Sequence, residues 1–339
     1  MAALSAEVLV VNAGSTSVKV SVVDGDDEST AVASLAEAPP VTLVGHRVVH
    51  GGERFAAPTV IDDHVVTALE SVIELAPLHN APALEGIKEA RALLPDATHV
   101  AVFDTAFHRT IPAVARTYAL PLRFRELGIR RYGFHGLSVA WAAERVPVAR
   151  LVVCHLGGGA SVTAVSDGQS IDTTMGFTPL EGVPMATRAG SLDPGALLYL
   201  LHHGVSLDEL DDALERESGL VGLAGSGDVA VLEAETSAEA KLALDVYCYR
   251  IAQAVAAMVS SLGGLDALVF TAGVGEHSAC VRGAICRRLA HLGVAIDEEI
   301  NSSLAGDGAL ETAGASVKVH VVHAREDVVA ARAVRMLLG

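Results

Sequence analysis

Positive charge is scarce in this sequence, paired cysteines are missing, and its long charge-free run is too short to cross a bilayer. Lysine and arginine number 24 against 41 aspartates and glutamates, for a net charge of −17 and an isoelectric point near 5.2. Such a chain has no electrostatic reason to hold nucleic acid or an anionic membrane non-specifically. A phosphorylated ligand would have to find its positive charge locally, from a few arginines, a metal ion and backbone N–H groups. The four cysteines, Cys154, Cys248, Cys280 and Cys286, form no CxxC pair. With no leader-like segment in view they are expected to be reduced thiols of a cytoplasmic protein. The 14 histidines include no HExxH, which argues against that class of zinc hydrolase. The run Ile251–Leu265 contains Gln253 and two serines, so no membrane span is expected. Low-complexity tracts and solenoid periods are absent as well.

What is present is length, an apolar content of 51 % over 339 residues, and alternation. That is enough chain for two domains, each with a core. Strand-like runs fall at Val8–Asn12, Val18–Val23, Leu43–Val49, His99–Phe103, Leu151–His155, Ser161–Ser166, Ala267–Ala272 and Val317–Val322. Helical patterns cover Asp63–Ala76, Ala81–Ala92, Ser138–Glu144, Pro194–His202, Leu207–Glu217, Ala238–Leu262 and Asp327–Leu338. The mixture predicts α/β layers. Glu217–Gly227 reads as a Gly-rich loop and Asn301–Gly308 as an exposed turn.

Two stretches echo one another. "LVVNAGSTSVKVSVVDG" (Leu9–Gly25) and "LVVCHLGGGASVTAVSDG" (Leu151–Gly168) each run from an apolar strand through a turn of small residues into a second strand and an Asp-Gly turn. A turn of Gly, Ser and Thr lets backbone N–H groups approach an anion without a Cβ clash. Two such units suggest similar halves facing across a cleft and holding two ends of a polyphosphate. Two ordinary hairpins would have the same layout.

Polar residues gather where strands should end. Arg47 sits in "GHRVVHGGE" (Gly45–Glu53), Asp104 ends the apolar "VAVF" of Val100–Phe103, and His135 lies between glycines in "RRYGFHGLS" (Arg130–Ser138). Arg188 lies in the long loop Thr173–Gly195, and Leu268–Ser278 reads as a strand followed by a Gly turn. Taken singly, Arg47 reads equally as a solvated surface group, Asp104 as a helix cap, His135 as structural, and Cys154 and Met175 as core. Taken together, two phosphate-type turns, two arginines, a strand-end aspartate and a histidine are the types that phosphoryl transfer uses. Positioning and charge neutralisation carry most of that catalysis.

At this point the sequence resembles the acetate kinase family, within the sugar kinase/Hsp70/actin-type ATPase superfamily. The stretches that carry the resemblance are "VNAGSTSVKV", "GHRVVHGGE", "APLHNAPALEGI", "VFDTAFHRTIP", "RRYGFHGLS", "HLGGGASV", "DTTMGFTPLEGVPMATRAGSLDPG" and "FTAGVGEHS", in the family's order from Val11 to Ser278, with a looser match over Val317–Arg332. The resemblance implies a two-domain ribonuclease H-like (actin-like ATPase) fold with a central cleft. Residues 1–106 plus 326–339 would form the first domain, and 107–325 the second, with the nucleotide site and a homodimer interface. The implied reaction is reversible transfer of the ATP γ-phosphoryl group to acetate or another short carboxylate. Asn12 and Glu326 would help hold Mg²⁺ (Mn²⁺ as a substitute), with Asp327 as the rival of Glu326. Ser15, Ser17 and Lys19 would lie near the phosphates, and Arg47 at the carboxylate or the transferring group. Asp104 would order metal or substrate, while His135 and Arg188 would stabilise an in-line transition state. His155, Leu156, Gly157, Gly158, Gly159, Asp228, Val229, Ala230, Gly273, Val274, Gly275, Glu276 and His277 would line ATP or ADP. Val49, Leu78, Phe134 and Pro179 would form the acyl pocket.

The chain also departs from the family pattern. It is shorter, chiefly between Asp24 and Leu43, which would trim the edge of the first sheet. Gly158 stands for the usual Asn of "HLGNG", His277 for the Asn of "GGIGEN", and Ala230 for an arginine near the adenosine. The transfer set is intact and the adenosine set is eroded, so the nucleotide preference is expected to be weak or altered. The alternatives that remain open are a propionate or butyrate kinase of the same mechanism and a non-catalytic nucleotide-binding regulatory protein on the same fold.

Overall fold

The protein is described here by a computed structural model covering residues 6–13 and 18–339. Its strands fall into two sheets in chain order. The first holds β1 (Val8–Ala13), β2 (Val18–Val23), β3 (Ser29–Val32), β4 (Leu43–Val48), β5 (Thr59–Val60) and β6 (Thr98–Phe103). The second holds β7 (Arg150–Leu156), β8 (Ala160–Ser166), β9 (Gln169–Thr173), β10 (Ala267–Thr271), β11 (Gly308–Ala309) and β12 (Lys318–Val321).

The strand orders are β3-β2-β1-β4-β6-β5 and β11-β12-β10-β7-β8-β9, one topology written in opposite directions. In each sheet an antiparallel meander of three strands joins parallel strands through its first member, β1 to β4 and β7 to β10. A short antiparallel strand closes the far edge. The echo between Leu9–Gly25 and Leu151–Gly168 is therefore the first hairpin of a repeated sheet. The first sheet has six strands, and the stretch between Asp24 and Leu43 supplies its edge strand β3, of four residues.

The apolar strand runs are buried on both faces, as central parallel strands require. Between the sheets, the helices Gly136–Arg145 and Glu326–Leu338 share one core with residues of both: Val8 and Val10 from β1, Val100 and Val102 from β6, Val153 from β7 and Val269 from β10. The helix Ala238–Leu262 is long and apolar enough to span a membrane by length and composition. One face of it, including Ala243, Tyr247, Ile251 and Val255, instead packs into the core of the second sheet, where Cys154 and Met175 are also fully buried.

Several sequence expectations differ from the observed elements. Glu217–Gly227 is not all loop: Gly219–Ala224 is helical, with Leu220 in the core beside the long helix. Asn301–Gly308 is not wholly an exposed turn, because Asn301 belongs to the helix Glu298–Ser303 and its buried amide accepts from Arg282 Nε at 2.8 Å. The expected strand Ala267–Ala272 ends at Thr271, and Ala272, with φ +65°, opens the helix Ala272–His277 where a Gly turn was expected. Asp63–Ala76 divides into a helix to Glu70 and a 3₁₀ turn at Ile73–Leu75.

Candidate functional site

The ends of β1, β4 and β6 deliver Asn12, Arg47 and Asp104 to one place. Asn12 pairs with Arg47 in the β1–β4 register, and Asp104 follows directly on β6. Asp104 is completely buried, and its carboxylate accepts from Arg47 Nε at 3.0 Å and Nη2 at 2.5 Å. It opens a 3₁₀ helix but spends its oxygens on Arg47 and on the backbone N–H of His135 rather than capping. Arg47 Nη1 donates to Asn12 Oδ1 at 3.0 Å and lies 3.6 Å from Glu326 Oε2, which in turn accepts from Asn12 Nδ2 at 3.1 Å. Of the two rival carboxylates, Glu326 is the one in this network; Asp327 faces Arg325 at 3.8 Å.

Charge balance sets the ionisation of this cluster. Burial raises the Asp104 carboxyl above the usual range, with the Arg47 guanidinium opposing it. Burial works against the charge on Arg47, but Asp104 and Glu326 outweigh it and hold the guanidinium more firmly protonated than usual. For Glu326 burial is likewise outweighed, here by Arg47, His155 and the Asn12 amide, so its carboxyl lies below the ordinary value.

Opposite this cluster stand His135, His155 and Arg188. His135 adopts a left-handed backbone, φ +58°, between Gly133 and Gly136. A non-glycine residue is held there only when its surroundings impose it. Its ring stacks on that of His155 with centroids 3.9 Å apart. Two hydroxyls orient the pair, Ser161 Oγ at 3.0 Å from His135 Nδ1 and Ser138 Oγ at 2.8 Å from His155 Nδ1. Burial drives both imidazoles towards the neutral form, His155 to about 4. Arg188 is 8 % exposed and donates through Nη1 to the Pro179 carbonyl at 3.1 Å. A β-carbon built on Gly159 would sit 2.9 Å from Arg188 Nη2 and 3.2 Å from His135 Nε2, so both groups converge over this glycine.

These groups line a cleft of about 1030 Å³ together with Lys19, Val49, Phe134, Met175 and Pro179. A side cavity of about 310 Å³ opens beside it, lined by Gly157, Gly158, Asp228, Val229, Ala230, Gly273, Val274 and His277. Gly158 and Gly273 line both spaces, and Glu276 and Gly159 line the cleft. Three expected site residues do not reach either. Leu156 is fully buried in the core, Gly275 packs on Phe270, and Leu78 is half-buried outside the cleft lining. Ser15 and Ser17 lie outside the described residues.

The sequence reading passed over His79, which lines the cleft one residue after Leu78. Burial, helped by Arg188 and Arg47, lowers its imidazole to about 4. Its signal was the polar "HN" inside "APLHNAPALEGI". Ser138 and Ser161 were passed over too, because ring-orienting hydroxyls look like any other serine.

The "Acetokinase family" profile matches residues 36–332. A curated acetate kinase of Acaryochloris marina is 47 % identical over 300 residues, spanning 86 % of this chain and 75 % of that protein. Among solved structures, a propionate kinase from Francisella tularensis superposes with a TM-score of 0.89 at 33 % identity, covering 98 % of this chain and 99 % of the other. Porphyromonas gingivalis acetate kinase superposes with a TM-score of 0.85 at 31 % identity, covering 98 % and 100 %.

Proposed function

The chain belongs to the acetokinase family, and we propose how its cleft moves the γ-phosphoryl group between ATP and acetate. An acetate oxygen attacks the γ-phosphorus as the bond to the β-bridging oxygen breaks, giving acetyl phosphate and ADP. Acetate is already ionised at neutral pH, so no base is needed. Asp104 instead fixes the Arg47 guanidinium, whose charge neutralises the acetate or the incoming phosphoryl group. Arg188 and the neutral imidazole of His135 donate to the equatorial oxygens as charge develops on them.

The family uses ATP and a divalent metal, and we assign Mg²⁺ to Asn12 and Glu326. The amide oxygen of Asn12, here accepting from Arg47, and the ionised Glu326 carboxylate, here accepting from the Asn12 amide nitrogen, are the hard oxygen donors that ion prefers. Bound there, Mg²⁺ would neutralise phosphate charge. Lys19, with Ser15 and Ser17 between β1 and β2 in the sequence, would hold phosphates. The side cavity, lined by Gly157, Gly158, Asp228–Ala230, Gly273, Val274 and His277, would take the nucleoside. Val49, Phe134 and Pro179 would enclose the methyl group beside His79. An apolar wall separates substrates differing by one methylene by only about 1–3 kcal/mol. Propionate is therefore expected as a slower substrate, in keeping with the propionate kinase among the structural relatives.

We divide the chain into a first domain of 1–106 plus 326–339 and a second of 107–325. The packing of Glu326–Leu338 on β1 and β4 supports the first unit, and its other side packs on Gly136–Arg145 of the second. A homodimer through the second domain would cover exposed Leu198, Tyr199, Leu242 and Tyr249.

What carries the reading is the convergence of Arg47, Asp104, His135 and Arg188 on one cleft. Trapping acyl phosphate as the hydroxamate tests it, across acetate, propionate and butyrate, with ATP or GTP, with and without Mg²⁺. Acetate should give the highest kcat/KM, and Arg188→Ala should lower kcat by about 10²–10³-fold. Absence of acyl phosphate with the wild-type chain, or full activity in Arg188→Ala, would overturn the assignment.

A further inference from the structure

A cluster separate from the Asn12–Glu326 pair lies where the helix Ala272–His277 meets the segment that carries the chain from β12 into the last helix. Glu276, His277 and His323 each place one ligand-type atom within 4.8 Å of the other two. The hydrogen bonds around them show which atoms are left to ligate. His323 Nδ1 lies 2.9 Å from Asp307 Oδ1, a carboxylate oxygen that can only accept, so Nδ1 is the donor there and Nε2 is the ring nitrogen left to ligate. His277 Nδ1 lies 2.8 Å from the Gly273 carbonyl, which likewise only accepts, so its Nε2 is also the ring nitrogen left to ligate. Glu276 spends Oε1 on the Ala324 N–H at 2.9 Å and leaves Oε2 facing His323 Nε2 at 3.6 Å.

We propose that Glu276, His277 and His323 form a site for a borderline divalent transition-metal ion, of which Zn²⁺ is the representative. Two imidazole nitrogens and one carboxylate oxygen suit Zn²⁺ and are a poor set for Mg²⁺, which demands oxygen. Asp307 is the outer carboxylate that metal-bound histidines commonly have, fixing tautomer and ring orientation. Glu276 has a side chain only 9 % exposed, whereas His323 is 42 % exposed, so the site is anchored on its inner side and open on its outer side. Tetrahedral ligation at about 2.0–2.1 Å leaves ligand atoms about 3.4 Å apart, so capture draws the three inward. The exposed His277 at the helix end can supply that movement by rotating its side chain. A bound ion would tie the helix after β10 to the β12 crossover at the wall shared by the cleft and the side cavity.

Isothermal titration of the full chain with Zn²⁺, after chelator treatment and in excess Mg²⁺, tests this. One site with a micromolar or tighter Kd is expected. His323→Gln and His277→Asn should each weaken it at least tenfold, and Asp307→Asn several-fold. Co²⁺ should give visible bands of histidine ligation that His323→Gln abolishes. Melting without added metal, unchanged in the variants, keeps a loss of binding distinct from a loss of fold. An equal Kd in wild type and the His277→Asn/His323→Gln double variant, or no Zn²⁺ binding tighter than millimolar, would overturn the assignment. Neither result depends on the kinase reaction.

Discussion

Arg47 and Asp104 meet in a fork, with two nitrogens of the guanidinium on the two oxygens of the carboxylate at 3.0 and 2.5 Å, and the carboxylate is wholly buried. Each partner makes the other's burial tolerable, since an unpaired charge in such a place is costly. Asp104→Ala is therefore expected to lower stability by about 3–5 kcal/mol as well as to depress kcat. Arg47→Lys cannot rebuild a planar fork and should fail on both counts. Replacing both by leucine should recover much of the stability and none of the turnover. Urea unfolding alongside the hydroxamate assay separates the two effects. Full activity in Asp104→Ala would remove Asp104 from the mechanism.

Gly159 gives a sharper test of the convergence, because the α-hydrogen that stands where a side chain would begin points at both transition-state donors. A methyl group there would lie 2.9 Å from Arg188 Nη2 and 3.2 Å from His135 Nε2. Arg188 cannot simply swing away, being buried and tied to the Pro179 carbonyl. Gly159→Ala should leave the melting temperature within a few degrees of wild type while lowering kcat by roughly 10–10²-fold, as expected when a donor is displaced by a fraction of an ångström. Unchanged kcat would mean that the two donors do not act over this glycine.

Much of this site was legible because it lies where apolar strands end. Arg47 lies at the end of one β-run and Asp104 directly follows another, both runs apolar and largely buried, and the β1–β2 and β7–β8 hairpins repeat visibly along the chain. The misses have local causes. Leu78 and His79 are neighbours in the first turn of a helix, so their side chains diverge by about 100°, and only the second turns to the cleft. Leu156 ends β7 on the face that enters the core, while His155 before it points to the site, the alternation of any strand. Gly219–Ala224 holds two glycines and reads as loop; packing on the long helix overrides that propensity. Strands of two residues such as β5 and β11 are too short to show a period.

Burial of several imidazoles has a consequence for acid stability. His46, His50, His108 and His155 are each at most 8 % exposed. Desolvation lowers His46 to about 3 and the other three to about 4, against an ordinary 6.5. Between those values the unfolded chain binds protons that the folded chain refuses. The stabilisation is complete above pH 6.5 and is lost as pH falls towards 4. At roughly 3–5 kcal/mol per group, the sum is comparable with the whole stability of a typical domain. The melting temperature should fall steeply from pH 6.5 to 4.5 and stay nearly level from 7 to 8. With His79, His135 and His155 neutral throughout, kcat should show no imidazole limb between pH 6.5 and 8. A limb near pH 6.5 would mean that one of these rings titrates freely.

Nucleotide choice should rest on what the side cavity lacks. Gly158 lines both the cleft and the cavity, and a β-carbon there would meet nothing within 4 Å. Ala230, on the same wall, offers no side-chain hydrogen bond either. The polar side chains on the cavity lining are committed within the protein, Asp228 Oδ1 to the Ala230 N–H and the Ser278 hydroxyl to Glu233, so ATP and GTP should differ little, within about tenfold in kcat/KM, since strong discrimination needs placed polar partners. Gly158→Asn fills open space without strain and adds an amide that can donate and accept. It should lower the KM for ATP several-fold with kcat unchanged, the pattern of added uniform binding. Ala230→Arg should act in the same direction and add roughly independently. If Gly158→Asn raised the KM for ATP or slowed turnover, the side cavity would not be where the nucleoside lies.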